Sequence, residues 1–177
     1  MAEPLWTSDA IAKATGGTAS QAFTANGVSI DTRTIEPGDA ILLEFGGCWH
    51  RYFGPIMRTV LVGDVPSEAE KMTEVCIEAL NAAIATIKPG ISSHEADKAA
   101  RDVIDEFGFT DNYRKRLGYS VGVGFAPDWG EGHIIHLNEN DPMILEPGMV
   151  FHMPPALRRY GQWGVGMSET ILVTETG

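Results

Sequence analysis

The stretch Ser67-Glu-Ala-Glu-Lys-Met-Thr-Glu-Val-Cys-Ile-Glu-Ala-Leu-Asn-Ala-Ala-Ile-Ala-Thr-Ile-Lys-Pro-Gly90 decides the fold class. Met72, Val75, Ala79, Leu80, Ala83, Ile84 and Ile87 recur at helical spacing, so one side of a long helix is apolar and faces a core. Ser67 with Glu70 has the form of a capping box, and Lys88-Pro89-Gly90 stops the helix. A second helix follows, capped by Ser92 or Ser93, with Ala96, Ala99, Ala100, Val103, Ile104 and Phe107 on one face and Gly108 at its end.

Outside this helical pair the pattern changes. Upstream, Ala40–Phe45 reads as an apolar strand ending in Gly46-Gly47, with Met57–Val62 as its partner. Downstream, Gly118–Phe125, Met149–Met153 and Val165–Val173 read as strands between glycine-rich loops. Two helices between groups of strands predict an α+β domain with both helices on one face of a sheet. Further upstream, Trp6–Thr15 reads as a short helix capped by Thr7 or Ser8 and stopped at Gly16-Gly17. Gly27–Asp31 then alternates like a strand, and Glu36-Pro37-Gly38-Asp39 is a turn.

The chain has 177 residues and a formal net charge of −11. Phosphate backbones require clustered Lys and Arg, so no nucleic-acid partner is expected, nor an anionic membrane surface. No apolar run approaches the ~20 residues of a membrane span. Cys48 and Cys76 follow no metal-ligand spacing and are read as reduced thiols. The first residues, Met-Ala-Glu-Pro-Leu-Trp, carry no basic and apolar leader pattern, so a cytoplasmic location is expected.

From residue 37 onward the order of segments resembles the creatinase/methionine-aminopeptidase superfamily. The segments are Pro37-Gly-Asp-Ala-Ile-Leu-Leu-Glu-Phe-Gly-Gly47, Met57-Arg-Thr59 with Val62-Gly63, Ile87-Lys-Pro-Gly90, Gly118-Tyr-Ser-Val-Gly122, Leu145-Glu-Pro-Gly-Met-Val150 and Ser168-Glu-Thr-Ile-Leu-Val-Thr-Glu175. The resemblance implies half of a pita-bread domain: a curved, mostly antiparallel sheet with two long helices on one face, here preceded by a short helix-strand segment. It also implies that the preceding pseudo-symmetric half, which supplies part of the family's pocket, is not in this chain. An open sheet of that kind invites cover by a second copy, so a homo-oligomer is expected.

Peptidases of this superfamily hold two metal ions with two Asp, one His and two Glu. Carried over residue by residue, these positions fall on Glu44, Pro55, Tyr119, Pro154 and Ser168. Proline has no ligating side chain, and a dinuclear hydrolytic site needs carboxylates on both ions. No metal and no other cofactor is therefore expected. Arg51–Thr59, Pro127-Asp-Trp-Gly-Glu131, Phe151-His-Met153 and Trp163-Gly resemble the metal-free branch, represented by creatinase and ectoine-hydrolase-like proteins. That branch implies metal-independent C–N hydrolysis of a small nitrogenous metabolite, with a small molecule as partner.

Four residues are the catalytic candidates. His152 shares a strand face with Pro154 and is read either as a proton shuttle or as a buried, hydrogen-bonded histidine. Glu131 is read either as a substrate-binding or acid–base carboxylate or as a solvated loop residue. Glu44, at a strand end beside Gly46-Gly47, has functional and structural readings, as does Tyr119, hydrogen-bond donor or packing aromatic. His133 and His136 form a His-x-x-His pair with no third ligand, and Arg58 is read as a structural salt-bridge residue.

Residues 4–39 resemble a different family, the N-terminal domain of the Mur ligase that adds D-Ala-D-Ala. The match lies in Pro4-Leu-Trp-Thr-Ser8 and Gly27-Val-Ser-Ile-Asp-Thr-Arg-Thr-Ile-Glu-Pro-Gly-Asp39. It implies a uridine-nucleotide site at Ser29, Asp31, Thr32 and Arg33, although no Gly-x-x-x-x-Gly-Lys phosphate loop follows. Two segments are thus expected, 1–39 and 40–177, joined as a chimera at the Pro37-Gly38-Asp39 turn. The alternatives to a hydrolase are an inactive chimeric or structural protein and a remnant UDP-binding module.

Overall fold

The computed structural model describes residues 6–18, 22, 24–25, 32–125 and 134–177. They divide into two compact units, 1–36 and 37–177.

In the first unit, β1 (Trp6–Thr7) pairs antiparallel with β2 (Thr24–Ala25), and α1 (Ser8–Thr15) lies between them in sequence. Thr7 Oγ1 accepts the Ala10 amide at 3.2 Å, and Gly16 closes the helix at φ 69°. Thr32–Thr34 forms one 3₁₀ turn. The strand expected over 27–31 lies outside the described residues.

The second unit begins with a long hairpin, β3 (Ala40–Trp49) and β4 (Tyr52–Leu61), in register from Ala40↔Leu61 to Trp49↔Tyr52. It runs well past the expected strand end at Gly46-Gly47. The two-residue turn places His50 and Arg51 at φ 48° and 72°, the left-handed pair that a tight hairpin needs. Leu42, Phe45, Trp49 and Tyr52 are exposed along this hairpin.

Next come α2 (Ser67–Thr86) and α3 (Ser93–Glu106). The two helices bring small residues together at their contact: Ala79, Ala83, Ala96 and Ala100 are fully buried. Of the two caps expected for α3 the structure uses Ser92, and a capping box forms there: Ser92 Oγ accepts the Glu95 amide and Glu95 accepts the Ser92 amide. At α2 it does not. Pro66, extended at φ −57° and ψ 133°, occupies the cap position, and Ser67 is already helical.

The remaining strands are β5 (Gly118–Ser120), β6 (His136–Leu137), β7 (Val150–Met153), β8 (Ala156–Arg159), β9 (Trp163–Gly166) and β10 (Glu169–Leu172). Four of them form an antiparallel sheet in the order β10-β7-β5-β6, and β8 pairs with β9 as a separate hairpin. β8 has no counterpart in the sequence reading. On β7, Phe151 and Met153 point into the core with Met72, Val75, Ala79 and Ile104, and alternation turns His152 to the opposite face.

The hairpin is fastened to the end of the second unit by the Met57-Arg58-Thr59 segment. Ser168 donates its amide to the Met57 carbonyl at 2.9 Å, and its Oγ accepts the Met57 amide at 2.6 Å. Thr59 Oγ1 exchanges bonds with both backbone groups of Gly166. Arg58 pairs with Glu169 and donates to the carbonyls of Met57 and Ser168, so the expected structural salt bridge is present.

Candidate functional site

β5, β7 and β10 place Tyr119, His152 and Thr170 side by side in register. Below them the side chains connect. His152 Nδ1 lies 2.8 Å from the Tyr119 hydroxyl, and Nε2 lies 2.7 Å from Ser168 Oγ. Ser168 is fully buried, as is His152.

The sense of this chain follows from its fixed end. The Met57 amide can only donate, so Ser168 Oγ accepts there. The serine has one proton, and His152 Nε2 is its one acceptor among the described residues. Nε2 therefore accepts, and the neutral ring carries its proton on Nδ1, which donates to the Tyr119 oxygen. Burial pushes the His152 pKa down from 6.5 to about 4, which holds the ring neutral at physiological pH.

Gly118 permits the approach of β5 to β7. A Cβ there would lie 2.6 Å from the His152 carbonyl oxygen. Gly118→Ala is expected to cost roughly 1–3 kcal/mol by forcing the strands apart. It should also lengthen the Tyr119–His152 bond, seen as a shift of the His152 ring resonances by NMR. Unchanged stability and resonances would count against this packing.

Above the relay is a cleft of about 170 Å³ lined by Leu42, Glu44, Met57, Lys115, Arg116, Tyr119, Pro154, Ala156 and Arg158. Glu44 is exposed on β3, opposite Met57 in the hairpin register. Arg116 lies over the Tyr119 ring, 5.2 Å from its centroid. The structure thus brings together His152, Tyr119 and Glu44 of the sequence-derived candidates. Glu131, Ser29 and Asp31 lie outside the described residues, as does His133. Thr32 and Arg33 sit in the 3₁₀ turn of the first unit. His136 is on β6, and its pKa is lowered by desolvation and by the nearby Arg116.

Three cleft residues, Lys115, Arg116 and Arg158, escaped the sequence reading. The signal available was the run Arg114-Lys115-Arg116 immediately before Gly118-Tyr119 in an acidic chain. Two clamps hold that run in place. Arg101 Nη2 donates to the Lys115 carbonyl at 3.0 Å, and the Leu117 amide donates to Asp97 Oδ1 at 2.8 Å. Asp97 is fully buried on α3 and also pairs with Arg101 at 2.5 Å.

Helices on one face of the sheet and a polar cleft on the other define an α+β domain. The chain belongs to metallopeptidase family M24, whose family profile matches residues 11–175. It is 35% identical over 147 residues to the ectoine hydrolase of Halomonas elongata, covering 83% of this chain and 36% of that protein. It is 32% identical over 152 residues to an Xaa-Pro dipeptidase of Pyrococcus furiosus, covering 86% and 42%. The crystal structure of a prolidase from Pyrococcus horikoshii superposes with a TM-score of 0.73 at 31% identity, over 81% of this chain and 40% of that one. The chain therefore spans about two fifths of the length of these relatives.

The family description implies a metal centre, and the described residues do not fit one. Pro154 and Tyr119 line the cleft, Pro55 offers only its carbonyl, which accepts from Thr170, and both His152 nitrogens are engaged. Among the described residues no three His, Cys, Asp or Glu side chains are grouped to hold an ion.

Proposed function

We propose that this domain hydrolyses a C–N bond, amide or amidine, of a small nitrogenous molecule without a catalytic metal. The single observation that carries the reading is the Tyr119–His152–Ser168–Met57 relay, which ends at the cleft. In this reading Tyr119 donates a hydrogen bond to the carbonyl oxygen or amidine nitrogen as charge develops on it. Glu44, on the same cleft, takes a proton from the attacking water. Water adds to the carbon, the C–N bond breaks, and the proton passes to the leaving nitrogen. His152 and Ser168 are positioning residues, because they reach the substrate only through Tyr119. The 35% identity to an ectoine hydrolase supports hydrolysis over a purely structural role.

The test is hydrolysis of a panel of small amides and cyclic amidines, ectoine included, with and without EDTA. Chelator-resistant turnover is expected, falling by about 10²-fold in Tyr119→Phe, on the scale of one positioned proton donor. His152→Gln should lower kcat with little change in KM. Turnover abolished by EDTA and restored by a divalent ion would overturn the reading, as would an unimpaired Tyr119→Phe.

A further inference from the structure

We propose that the side of the β3–β4 hairpin turned away from the cleft is a docking face for a second copy of this chain. The two hairpins pack face to face about a two-fold axis, and Trp49 of each enters a groove on the other. The proposal is independent of the reaction, because the cleft opens on the opposite side of the hairpin.

The hairpin register separates the two sides. Leu42, Glu44 and Met57 line the cleft. By alternation Leu43, Phe45 and Trp49 of β3 project from the other side, together with their cross-strand partners Arg58, Ile56 and Tyr52 of β4. Val60, opposite Ile41, continues the row. Leu43, Phe45, Trp49, Tyr52 and Val60 are all exposed. In the four-stranded sheet the corresponding side is covered, with Phe151 and Met153 buried among residues of α2 and α3. On the hairpin it is open to solvent.

Size is the first argument. Trp49 is 77%, Tyr52 63% and Phe45 56% exposed. A whole aromatic side chain brings about 150–250 Å², so these three alone offer roughly 400 Å² of apolar surface. That is half of the ~800 Å² each partner gives to a standard interface, and Leu43 and Val60 add to it. Charge is the second. Of the residues on this side between Ile41 and Val60 only Arg58 is charged, and Glu169 pairs with it. Two chains of net −11 repel each other elsewhere, but here they meet without an unpaired charge.

Shape selects a second copy as the occupant. A two-fold interface requires one surface to carry both a projection and the hollow that receives it. Trp49 is the projection, standing edge-on to His50 with ring centroids 4.7 Å apart. Its ladder partner Tyr52 forms one wall of a groove of about 340 Å³, whose other walls include Val121, Val123, Ile134, Met149 and Val150. An indole entering that groove leaves water for an apolar surround, the setting in which one aromatic anchor dominates an interface.

The experiment is sedimentation equilibrium of the full chain. Between about 1 and about 100 μM a reversible monomer–dimer equilibrium is expected, with no larger species. Trp49→Ser and Phe45→Lys should each weaken the dimer at least about 30-fold, the scale of a lost aromatic anchor. Both positions are exposed in the single chain, and near-UV circular dichroism checks that each variant keeps its fold. Ile77→Ser, at an exposed apolar position on α2, should leave the dimer unchanged. Added salt should tighten association, because it screens the repulsion between two acidic chains and breaks no ion pair across the face. Tryptophan emission should shift to the blue as the dimer forms, and not in Trp49→Ser. A monomer throughout the range, a dimer indifferent to both hairpin substitutions, equal weakening by Ile77→Ser, loosening by salt, or open-ended assembly would each overturn the proposal.

Discussion

Asp97→Ala is expected to destabilise the second unit by about 3–5 kcal/mol, the range for breaking a buried charge pair from one side. Asp97 is fully buried and holds two unlike partners, the Arg101 guanidinium and the Leu117 amide. Its pKa is nevertheless raised, because desolvation outweighs the bonds from Arg101 and Leu117. Arg101 is raised as well, more firmly protonated because the bond and charge of Asp97 outweigh its desolvation. The two shifts disagree about what the pair is worth, and burial decides between them. The Asp97 side chain has lost all its water, whereas that of Arg101 keeps 20% of its exposure. The pair is therefore poor as a source of net stability, and its removal is costly for another reason. Truncation leaves the Leu117 amide unpaired, beside a leucine that is itself fully buried, and leaves Arg101 only the more distant Glu139 at 3.6 Å. Urea unfolding at pH 7 measures the loss as a lower midpoint at constant m. Asp97→Asn, which can still accept from Leu117, should lose less than Asp97→Ala. A loss below about 1 kcal/mol in Asp97→Ala would mean the clamp contributes nothing beyond its own desolvation.

The second large effect is acid sensitivity through His152. In the unfolded chain its imidazole titrates near 6.5, and in the folded protein near 4. Between these values the unfolded state binds a proton that the folded state refuses. Stability is therefore complete above pH 6.5 and falls as the pH drops toward 4. The total is about 3 kcal/mol, at about 1.4 kcal/mol per pKa unit. Asp97 works in the opposite direction: with its folded pKa raised, it takes up its proton earlier in the folded state and stabilises as the solution becomes acid. The quantity to measure is thus the difference between wild type and His152→Gln across this window, which cancels Asp97 and the other histidines. The wild type should lose about 3 kcal/mol more than the variant between pH 6.5 and pH 4. A His152 ring that titrates near 6.5 by NMR in the folded protein would refute the prediction.

The helices were legible because their information is local. Met72, Val75, Ala79 and Ala83 mark the buried face of α2 by spacing alone, and the Ser92-Ser93 pair marks the start of α3 to within a residue. The hairpin was legible only in part. Gly46-Gly47 and Pro55 look like interruptions, and the His50-Arg51 turn lacks the Asn-Gly signature that announces such a turn. The strands nevertheless pair through all of them, because each residue has a ladder partner supplied by the register. In the site, alternation along β7 was enough to turn His152 away from the core. Ser168 was visible only as a position where a ligand had been exchanged. Its bond to the Met57 amide joins residues 111 apart, and no short-range pattern encodes that. Lys115, Arg116 and Arg158 look like ordinary solvated charge in sequence, and become neighbours only when β8 packs beside the segment leading into β5.

That separation has a temporal consequence. The bonds that fasten the β3–β4 hairpin to the end of the second unit, from Met57 to Ser168, Thr59 to Gly166 and Thr170 to Pro55, each close a loop of more than a hundred residues. Contacts of that span are formed late, because the chain entropy of closing them is spent before they contribute anything. The helices can pack on β7 early, but the polar relay has no polarity until the Met57 amide arrives to set it. Folding and the assembly of the site thus finish in the same event, and a partly folded chain carries His152 and Tyr119 without the order that makes them a pair.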